Sequence, residues 1–445
     1  MNPFYHRGAI RQAAYFHGRV SQIEQILGLL RNGQSVSLIG PRRIGKSSLL
    51  IHLCRENVRQ PFHLHAPHAL FVRIDCQELG GSPPEEVYEA LLIGVREAAE
   101  EAELNVTDPK QTGTYRALDR LLNQVVRSGV AVVVILDEFE LLAANEQLTP
   151  YFFARLRGLT TKYGLAYLTA SQRPLFAITA DEEILSSPFF NIFVSLSLGL
   201  FTAEEAQGLL DERLADTAVS FSPDLQTHIL RLVGPHPFFL HLAGYHAFPL
   251  VAGGEYETAS QIDKPTEVEA ESHLAYLWQN LTGEERYGLA TLAGGVDVLR
   301  SLEQQCLIEA VSTAVGESSS ANAAENNTTY TYTSQILERF VRRQDVPGLI
   351  QADPFVIDFQ RHTVRVPEKE LSLTTSQFNL LVCLAEQAGQ VVHAHDLERA
   401  VWQEALLDDP DRLKTLIKRL RRAIEPYDNW VVSERGVGYA LRMPE

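Results

Sequence analysis

Ser35-Val-Ser-Leu-Ile-Gly40-Pro-Arg-Arg-Ile-Gly45-Lys46-Ser47-Ser48-Leu-Leu50 is the stretch on which the reading of this chain turns. Its apolar start predicts a buried strand, and an apolar helical pattern begins at Leu49. Between them, Gly40 to Ser47 fits G-x-x-x-x-G-K-[ST]. Gly40 and Gly45 let the backbone curl so that its N–H groups converge on phosphate oxygens, and the helix N-terminus adds a positive dipole end. Lys46 can reach the β- and γ-phosphates of a nucleotide, the Ser47 hydroxyl can ligate Mg²⁺, and Ser48 stands beside them at the helix start. A chance glycine-rich turn would not be expected to carry a strand before it and a helix after it.

A second stretch supplies the other half of the chemistry. Val130-Ala-Val-Val-Val-Ile-Leu136-Asp137-Glu138-Phe139-Glu140 is a continuous apolar strand with acids at its C-terminal end. Apolar residues on both faces imply a parallel sheet covered by helices, where ligands bind at the carboxyl ends of the strands. This is a Walker B signature: Asp137 is placed to hold Mg²⁺ through water, and Glu138 to orient or deprotonate an attacking water. Ala69–Asp75 and Leu165–Ser171 read as further strands, and Pro84–Ala99, Tyr115–Arg127 and Phe152–Leu159 as helices. Phe189–Leu196 reads as a short strand, and Thr202-Ala-Glu-Glu205 as a capped helix start.

Composition narrows the partners. The 445 residues carry a formal net charge of −17, so a polyanion must be met by a local basic face. Length suggests about three domains. Cys54, Cys76, Cys306 and Cys383 form no C-x-x-C pair and read as reduced core thiols, neither a disulfide frame nor a zinc site. Met1–Arg19 has no apolar core of a signal peptide, and the longest apolar run, Val130–Leu136, is too short to span a bilayer. A cytoplasmic location and no membrane partner are the expectations.

The first 250 residues or so resemble the STAND-type AAA+ ATPases. Beside the two specific motifs stand three weaker ones. Phe16-His-Gly18-Arg19 resembles the F-x-G-R element that these proteins place beside the adenine. Arg173, in Ser171-Gln172-Arg173, looks like a sensor arginine, though its spacing departs from the commoner T-x-R form. Gly234-Pro-His236-Pro237 resembles a G-x-H-P motif of the helical lid whose histidine approaches the phosphates. The plainer readings are a helix start, a surface arginine and a structural histidine. The resemblance implies ATP and Mg²⁺ as cofactors, with Lys46, Asp137, Glu138 and Arg173 catalytic.

The C-terminal hundred residues read differently. In Asp411–Glu425, Leu413, Leu416, Ile417, Leu420 and Ile424 share one helical face, while Lys414, Thr415, Lys418, Arg419 and Arg422 point away from it. Such a basic stripe suits a major groove, although charge runs are often merely solvated faces. Trp430–Arg442 reads as a hairpin with Arg435 near its tip, a wing able to enter a minor groove. With L-T-x-x-x-F at Leu373–Phe378, Val401-Trp402, I-x-R-L-R at Ile417–Arg421 and R-G-x-G-Y at Arg435–Tyr439, this part resembles the OmpR-type winged-helix domain of response regulators. Asp408, Asp409 and Asp411 depart from that pattern by placing acid at the recognition-helix start.

The expected architecture is an α/β P-loop NTPase core with a parallel sheet and helical lid, followed by two small winged-helix domains. Its parts are a core at 1–190, a lid at 191–250, a linker at 251–265, a winged-helix-like domain at 266–343 with a disordered insert at 312–327, and an OmpR-type domain at 347–445. The function expected is an ATP-binding and hydrolysing switch that controls sequence-specific binding of double-stranded DNA, a transcriptional regulator. Two alternatives stand beside it: a DNA-remodelling, mobile-element or initiator ATPase, and a STAND scaffold whose winged helices bind protein. Partners other than DNA, such as a protein input signal or a second copy of the chain, leave no sensor repeat in the sequence.

Overall fold

The computed structural model describes residues 2–4, 8–107, 113–175, 188–311, 328–359, 361–367, 369–402 and 411–442. The chain folds as two compact units: Met1–Ala270 with Glu303–Leu307 and Thr333–Gln335, and the remainder. The insert expected at 312–327 lies outside the described residues, as do Asp408 and Asp409. Among the described residues no helix is long and apolar enough to cross a membrane.

In the first unit five parallel strands, β1 (Ser35–Ile39), β2 (Ala69–Asp75), β3 (Ala131–Asp137), β4 (Ala166–Ser171) and β5 (Phe193–Ser197), lie in the order β2-β3-β4-β1-β5. The apolar run of β3 is buried on both faces, as its composition requires. Val132, Val134 and Leu136 join a cluster with helices α3 (Pro84–Glu101), α4 (Tyr115–Arg127) and α6 (Pro150–Tyr163). Val133 and Ile135 face the opposite way, toward α1 (Val20–Arg31) and α2 (Lys46–Leu53). The short helix α5 (Phe139–Ala143) follows β3 directly. Because every strand runs the same way, the ends of β1 and β3 open on one edge of the sheet, with β4 between them.

Strand β5 begins later than its sequence suggests. Pro188–Ile192 is a 3₁₀ turn, and Phe189 leaves the strand direction to sit fully buried among Phe139, Phe153 and Tyr167. Burial of one large ring there outweighs the extended propensity of the run.

The lid comprises α7 (Ala203–Leu214), α8 (Pro223–Val233) and α9 (Pro237–Gly253). Thr202 and Glu205 close the capping box anticipated at the start of α7, and Ser222 caps α8. The expected linker at 251–265 holds the end of α9, a 3₁₀ turn at Ala259–Ile262 and the start of α10 (Asp263–Gln279). The first half of α10 is tied to the lid by His228–Asp263 at 2.6 Å and His246–Glu269 at 3.0 Å.

The second unit carries α11 (Gly283–Thr291), most of α12 (Val296–Gln304), the antiparallel hairpin of β6 (Ile308–Val311) and β7 (Thr329–Tyr332), and most of α13 (Gln335–Val341). The extended reading of Leu302–Glu309 resolves into the last turn of α12 and the first residues of β6. Four strands follow, β8 (Leu349–Ala352), β9 (Phe355–Asp358), β10 (Thr363–Val366) and β11 (Lys369–Leu371), paired in the order β11-β10-β9-β8. Then come α14 (Thr375–Glu386), α15 (Ala394–Trp402) and α16 (Arg412–Ala423), and a small sheet of β12 (Val392–His393), β13 (Val431–Glu434) and β14 (Gly438–Leu441). Leu380, Leu381 and Leu384 of α14 pack with Leu413, Ile417 and Leu420 of α16 in one core.

Candidate nucleotide site and DNA-binding face

The loop between β1 and α2 is braced by its own lysine. The Lys46 ammonium is buried and donates to the carbonyls of Gly40 at 2.7 Å and Pro41 at 3.1 Å. Burial draws its pKa down, opposed by the nearby charges of Glu140, Asp137 and Glu138. The amide of Gly40 donates to Ser171 at the end of β4 at 3.1 Å, fixing the loop to the sheet edge. Arg43 and Gly45 take left-handed backbone, with φ of 68° and 103°.

Opposite the loop, the carboxylate of Asp137 accepts from the Ser47 hydroxyl at 3.2 Å and from the Glu138 amide at 3.1 Å. Its other oxygen lies 3.5 Å from Arg73. Burial raises the Asp137 pKa, and the bond from Ser47 and the charge of Arg73 hold it down. No cluster of three His, Cys, Asp or Glu side chains able to hold a metal occurs among the described residues. The donor set nonetheless fits Mg²⁺, which takes one hydroxyl and one carboxylate from such a site and completes its shell with phosphate oxygens and water.

A cavity of about 310 Å³ opens beside these groups. Lys46, Ser47, Ser48, Arg42 and Arg43 form its cationic and hydroxyl wall, and Glu138, Glu140 and Gln172 its acidic and amide wall. Phe16, Phe201 and Leu209 give an apolar end suited to a nucleobase, and Phe238 and His241 of α9 close it from the lid. Glu138 sits in left-handed backbone at the start of α5, and burial with the charges of Glu140 and Asp137 raises its pKa.

The F-x-G-R element is more deeply built in than a base-side contact. Phe16 stacks on His52, ring centroids 3.8 Å apart. Gly18 has φ +68°, and a Cβ there would lie 2.8 Å from the Glu205 carboxylate, so this turn admits only glycine comfortably. Arg19, 3% exposed, donates through its guanidinium to the carbonyls of Gly199 (2.8 Å), Leu200 (3.2 Å) and Ile44 (3.2 Å). Its guanidinium also lies 4.4 Å from the Phe201 ring. Arg19 thus joins the phosphate-binding loop to the segment that leads from β5 into the lid. The Ser48 hydroxyl accepts from the Ile10 amide at 3.0 Å and ties the N-terminal segment to α2.

Five of the expected site residues, Gly18, Gly40, Asp137, Arg173 and His236, are not among those lining the cavity; Asp137 meets it through its bond with Ser47. Arg173 is exposed, and the position before it, Gln172, faces the cavity. His236 is buried at the start of α9 with its ring 4.7 Å from Phe239, while Phe238 and His241 do the lining. Glu140, to which the Walker B pattern assigns no role, joins the site. Its Oε1 accepts from the Gln172 amide at 3.2 Å, and its Oε2 is buried without a hydrogen-bond partner. The signal for it is a third acid two residues after Glu138. For Phe238 the signal is a large ring immediately beyond the G-x-H-P run.

On the C-terminal domain, Leu413, Leu416, Ile417 and Leu420 of α16 are buried, whereas Lys414, Thr415, Lys418, Arg419 and Arg422 are exposed. Arg435 is exposed between β13 and β14. Arg421 points elsewhere: it donates to the Val431 carbonyl at 2.6 Å and to the Ser433 hydroxyl at 2.8 Å, holding the wing strand against the helix. Gln377 of α14 donates to the Arg419 carbonyl at 3.1 Å and fixes the helix from behind. Lys414 pairs with Asp411 at 3.0 Å, an exposed contact of small value.

Residues 25–295 match the family model described as Novel STAND NTPase 2, and residues 368–441 that of the C-terminal domain of transcriptional regulatory proteins. Over 108 residues the chain is 29% identical to the response regulator ArlR of Staphylococcus aureus, which covers 24% of this chain and 49% of ArlR. The chain therefore spans about half the length of the curated relatives it matches. A Walker-type ATPase of Pyrococcus abyssi is similar in structure with a TM-score of 0.55 at 16% identity, over 76% of this chain and 99% of that one. The DNA-binding domain of CpxR from E. coli is similar over 21% of this chain and 95% of that one, at 28% identity and a TM-score of 0.20.

Proposed function

From the premise that the chain belongs to the Novel STAND NTPase 2 family and ends in an OmpR-type DNA-binding domain, we propose that it is an ATP-dependent switch controlling transcription. The observation that carries this reading is the convergence of Lys46, Ser47 and Glu138 on one cavity, with Asp137 bonded to Ser47 beside it, in a chain that also presents an exposed basic helix. ATP occupies the cavity with its base toward Phe16 and Phe201 and its phosphates toward Lys46. Lys46 then exchanges its two carbonyl partners for phosphate oxygens. Ser47 and Asp137 hold Mg²⁺, which when bound neutralises charge on the β- and γ-phosphates. Glu138 orients the attacking water and accepts its proton.

Lid residues complete the cavity, so nucleotide state and lid position are linked wherever the γ-phosphate makes contacts that ADP lacks. The basic face of α16 and Arg435 at the wing bind the DNA backbone and read base edges. The test is affinity for promoter fragments measured with ATP, with ADP and without nucleotide. A difference between the ATP and ADP states supports the switch, and equal affinity in all three states refutes it.

A further inference from the structure

We infer that Arg43 is the arginine that stabilises the γ-phosphoryl group during hydrolysis, supplied in cis by the phosphate-binding loop, so that one copy of the chain holds a complete hydrolytic site. The inference rests on the reading of the cavity as an ATP site. Phosphoryl transfer spreads negative charge over the equatorial γ-oxygens, and an arginine placed there accelerates it by about 10³–10⁵-fold. The guanidinium fork fits phosphate oxygens in a way an ammonium does not.

The surroundings decide which arginine fills this role. Three arginines line the cavity: Arg19, Arg42 and Arg43. The guanidinium of Arg19 is committed to three backbone carbonyls. Arg73 faces Asp137. Arg155, on α6, lies over the rings of Tyr115 and Tyr151 at 5.0 and 4.3 Å, and neither it nor the exposed Arg173 lines the cavity. Arg42 and Arg43 line the cavity from the phosphate-binding loop itself.

Backbone and lid separate these two. Arg43 holds φ of 68°, a left-handed conformation that is unfavourable for a non-glycine residue. The next residue, Ile44, is fully buried, so the loop is pinned in this shape and presents Arg43 to the cavity. Backbone strain of this kind collects at ligand clamps. The Arg43 guanidinium also lies 5.2 Å from the ring of Phe238, a lid residue that faces the same cavity. Its place is therefore set by both the loop and the lid. Burial and the adjacent charge of Arg42 draw its pKa down, an unfavourable pairing that a bound polyphosphate relieves.

In the step itself, the water oxygen forms a bond to Pγ while the Pγ–O bond to the β-phosphate breaks, and the bridging oxygen leaves with ADP. The water proton passes to Glu138 and from there to the released phosphate. Arg43 moves no proton; it compensates charge that grows on the γ-oxygens.

The test uses the full chain carrying Arg43→Ala, Arg43→Lys or Arg43→Gly. Glycine suits the left-handed backbone, so Arg43→Gly removes the side chain while easing the loop. Expected for the alanine and glycine variants is a fall in single-turnover ATP hydrolysis of about 10³-fold. Binding of a fluorescent ATP analogue should change by less than about tenfold, a difference of under about 1.4 kcal/mol. The same variants should lose the ADP–aluminium fluoride complex, and guanidinium ion added to Arg43→Ala should restore part of the rate. Wild-type specific activity should not depend on protein concentration.

Hydrolysis that survives Arg43→Gly overturns the inference. So does the same set of losses in Arg42→Ala alone, or activity regained by mixing Arg43→Ala with Lys46→Ala, which places the arginine on a neighbouring copy. Nucleotide binding by the wild type that Lys46→Ala abolishes supports the ATP reading independently. If the wild type binds no nucleotide, that reading fails and the inference falls with it. If it binds ATP and never hydrolyses it, only the inference falls.

Discussion

Replacing Arg19 by methionine should weaken the nucleotide-binding unit far more than it weakens ATP binding. The side chain is 3% exposed, and its guanidinium serves three carbonyls, of which that of Ile44 is reached by a buried bond and those of Gly199 and Leu200 by part-buried ones. Leaving a buried acceptor unsatisfied costs about 1–3 kcal/mol, and this applies in full at Ile44. The other two carbonyls regain water and cost about 0.5–1 kcal/mol each. Removing the cation–π interaction with Phe201, at 4.4 Å, adds about 0.5–2 kcal/mol.

Against these stands the burden of the buried charge. Burial lowers the Arg19 pKa to about 10, so the group stays protonated at neutral pH, and removing its charge returns part of the loss. A net destabilisation of about 2–4 kcal/mol follows. With a urea m-value of about 3 kcal/mol/M, the midpoint should fall by about 1 M. The assay is equilibrium urea unfolding of the full chain, followed by a probe in the first unit, beside a titration with a fluorescent ATP analogue. An unchanged midpoint with ATP affinity reduced more than tenfold would return Arg19 to the adenine-contact role and refute the strut.

Three further outcomes are expected. Gly438→Ala would set a Cβ 1.9 Å from the Val392 carbonyl oxygen, a backbone atom that no rotamer change can clear, so the β12–β14 pairing should open and DNA affinity should fall. Gel-shift titration checks it, with ATP-analogue binding unchanged, and intact DNA binding would show that the small sheet tolerates the atom. Arg422→Ala combined with Arg435→Ala should abolish specific binding, and the slope of log affinity against log salt should flatten by about 0.9 for every DNA phosphate that is no longer neutralised; retained binding with an unaltered slope would remove helix and wing from the interface. Lys46→Ala should abolish nucleotide binding and change affinity for DNA as well, and a variant that loses ATP while its DNA affinity stays that of the wild type would show two fused but uncoupled activities.

The parts legible in the sequence are those whose geometry is set within one short run. Gly40–Ser47 dictates its own turn, Val132–Leu136 announces a strand covered on both faces, and the Leu413–Leu420 spacing assigns the buried side of α16 without reference to any other element. Strands β8 and β11 escape a pattern-based reading because each is only four or three residues long, and is held by a neighbour instead of by its own alternation. The fate of Glu303–Leu307 and Thr333–Gln335, which fold with the first unit, is hidden for a related reason. Cys306 packs into the cluster around β1, and the Thr333 hydroxyl donates to the Cys306 carbonyl at 2.9 Å, interactions that no local pattern encodes.

The weaker motifs show why spacing alone assigns position better than role. The sequence gives Glu205 the part of the acid in a capping box, and its Oε2 does accept from the Thr202 amide at 3.0 Å. Its Oε1, however, accepts from the Arg19 amide at 2.5 Å and fills the space that the missing side chain of Gly18 leaves. One carboxylate thus closes the lid's first helix and the F-x-G-R turn together, across 186 residues of sequence. The glycine is required by the acid, and the acid by the helix start, so the two motifs are halves of one joint. Any displacement of α7 relative to the loop must either carry Gly18 and Arg19 with it or break these bonds. Because Arg19 also holds the Ile44 carbonyl, the joint reaches the residue adjoining Arg43. Lid position and the shape of the phosphate-binding loop are therefore joined through backbone contacts even before a nucleotide enters, which is the mechanical condition a nucleotide-gated lid needs.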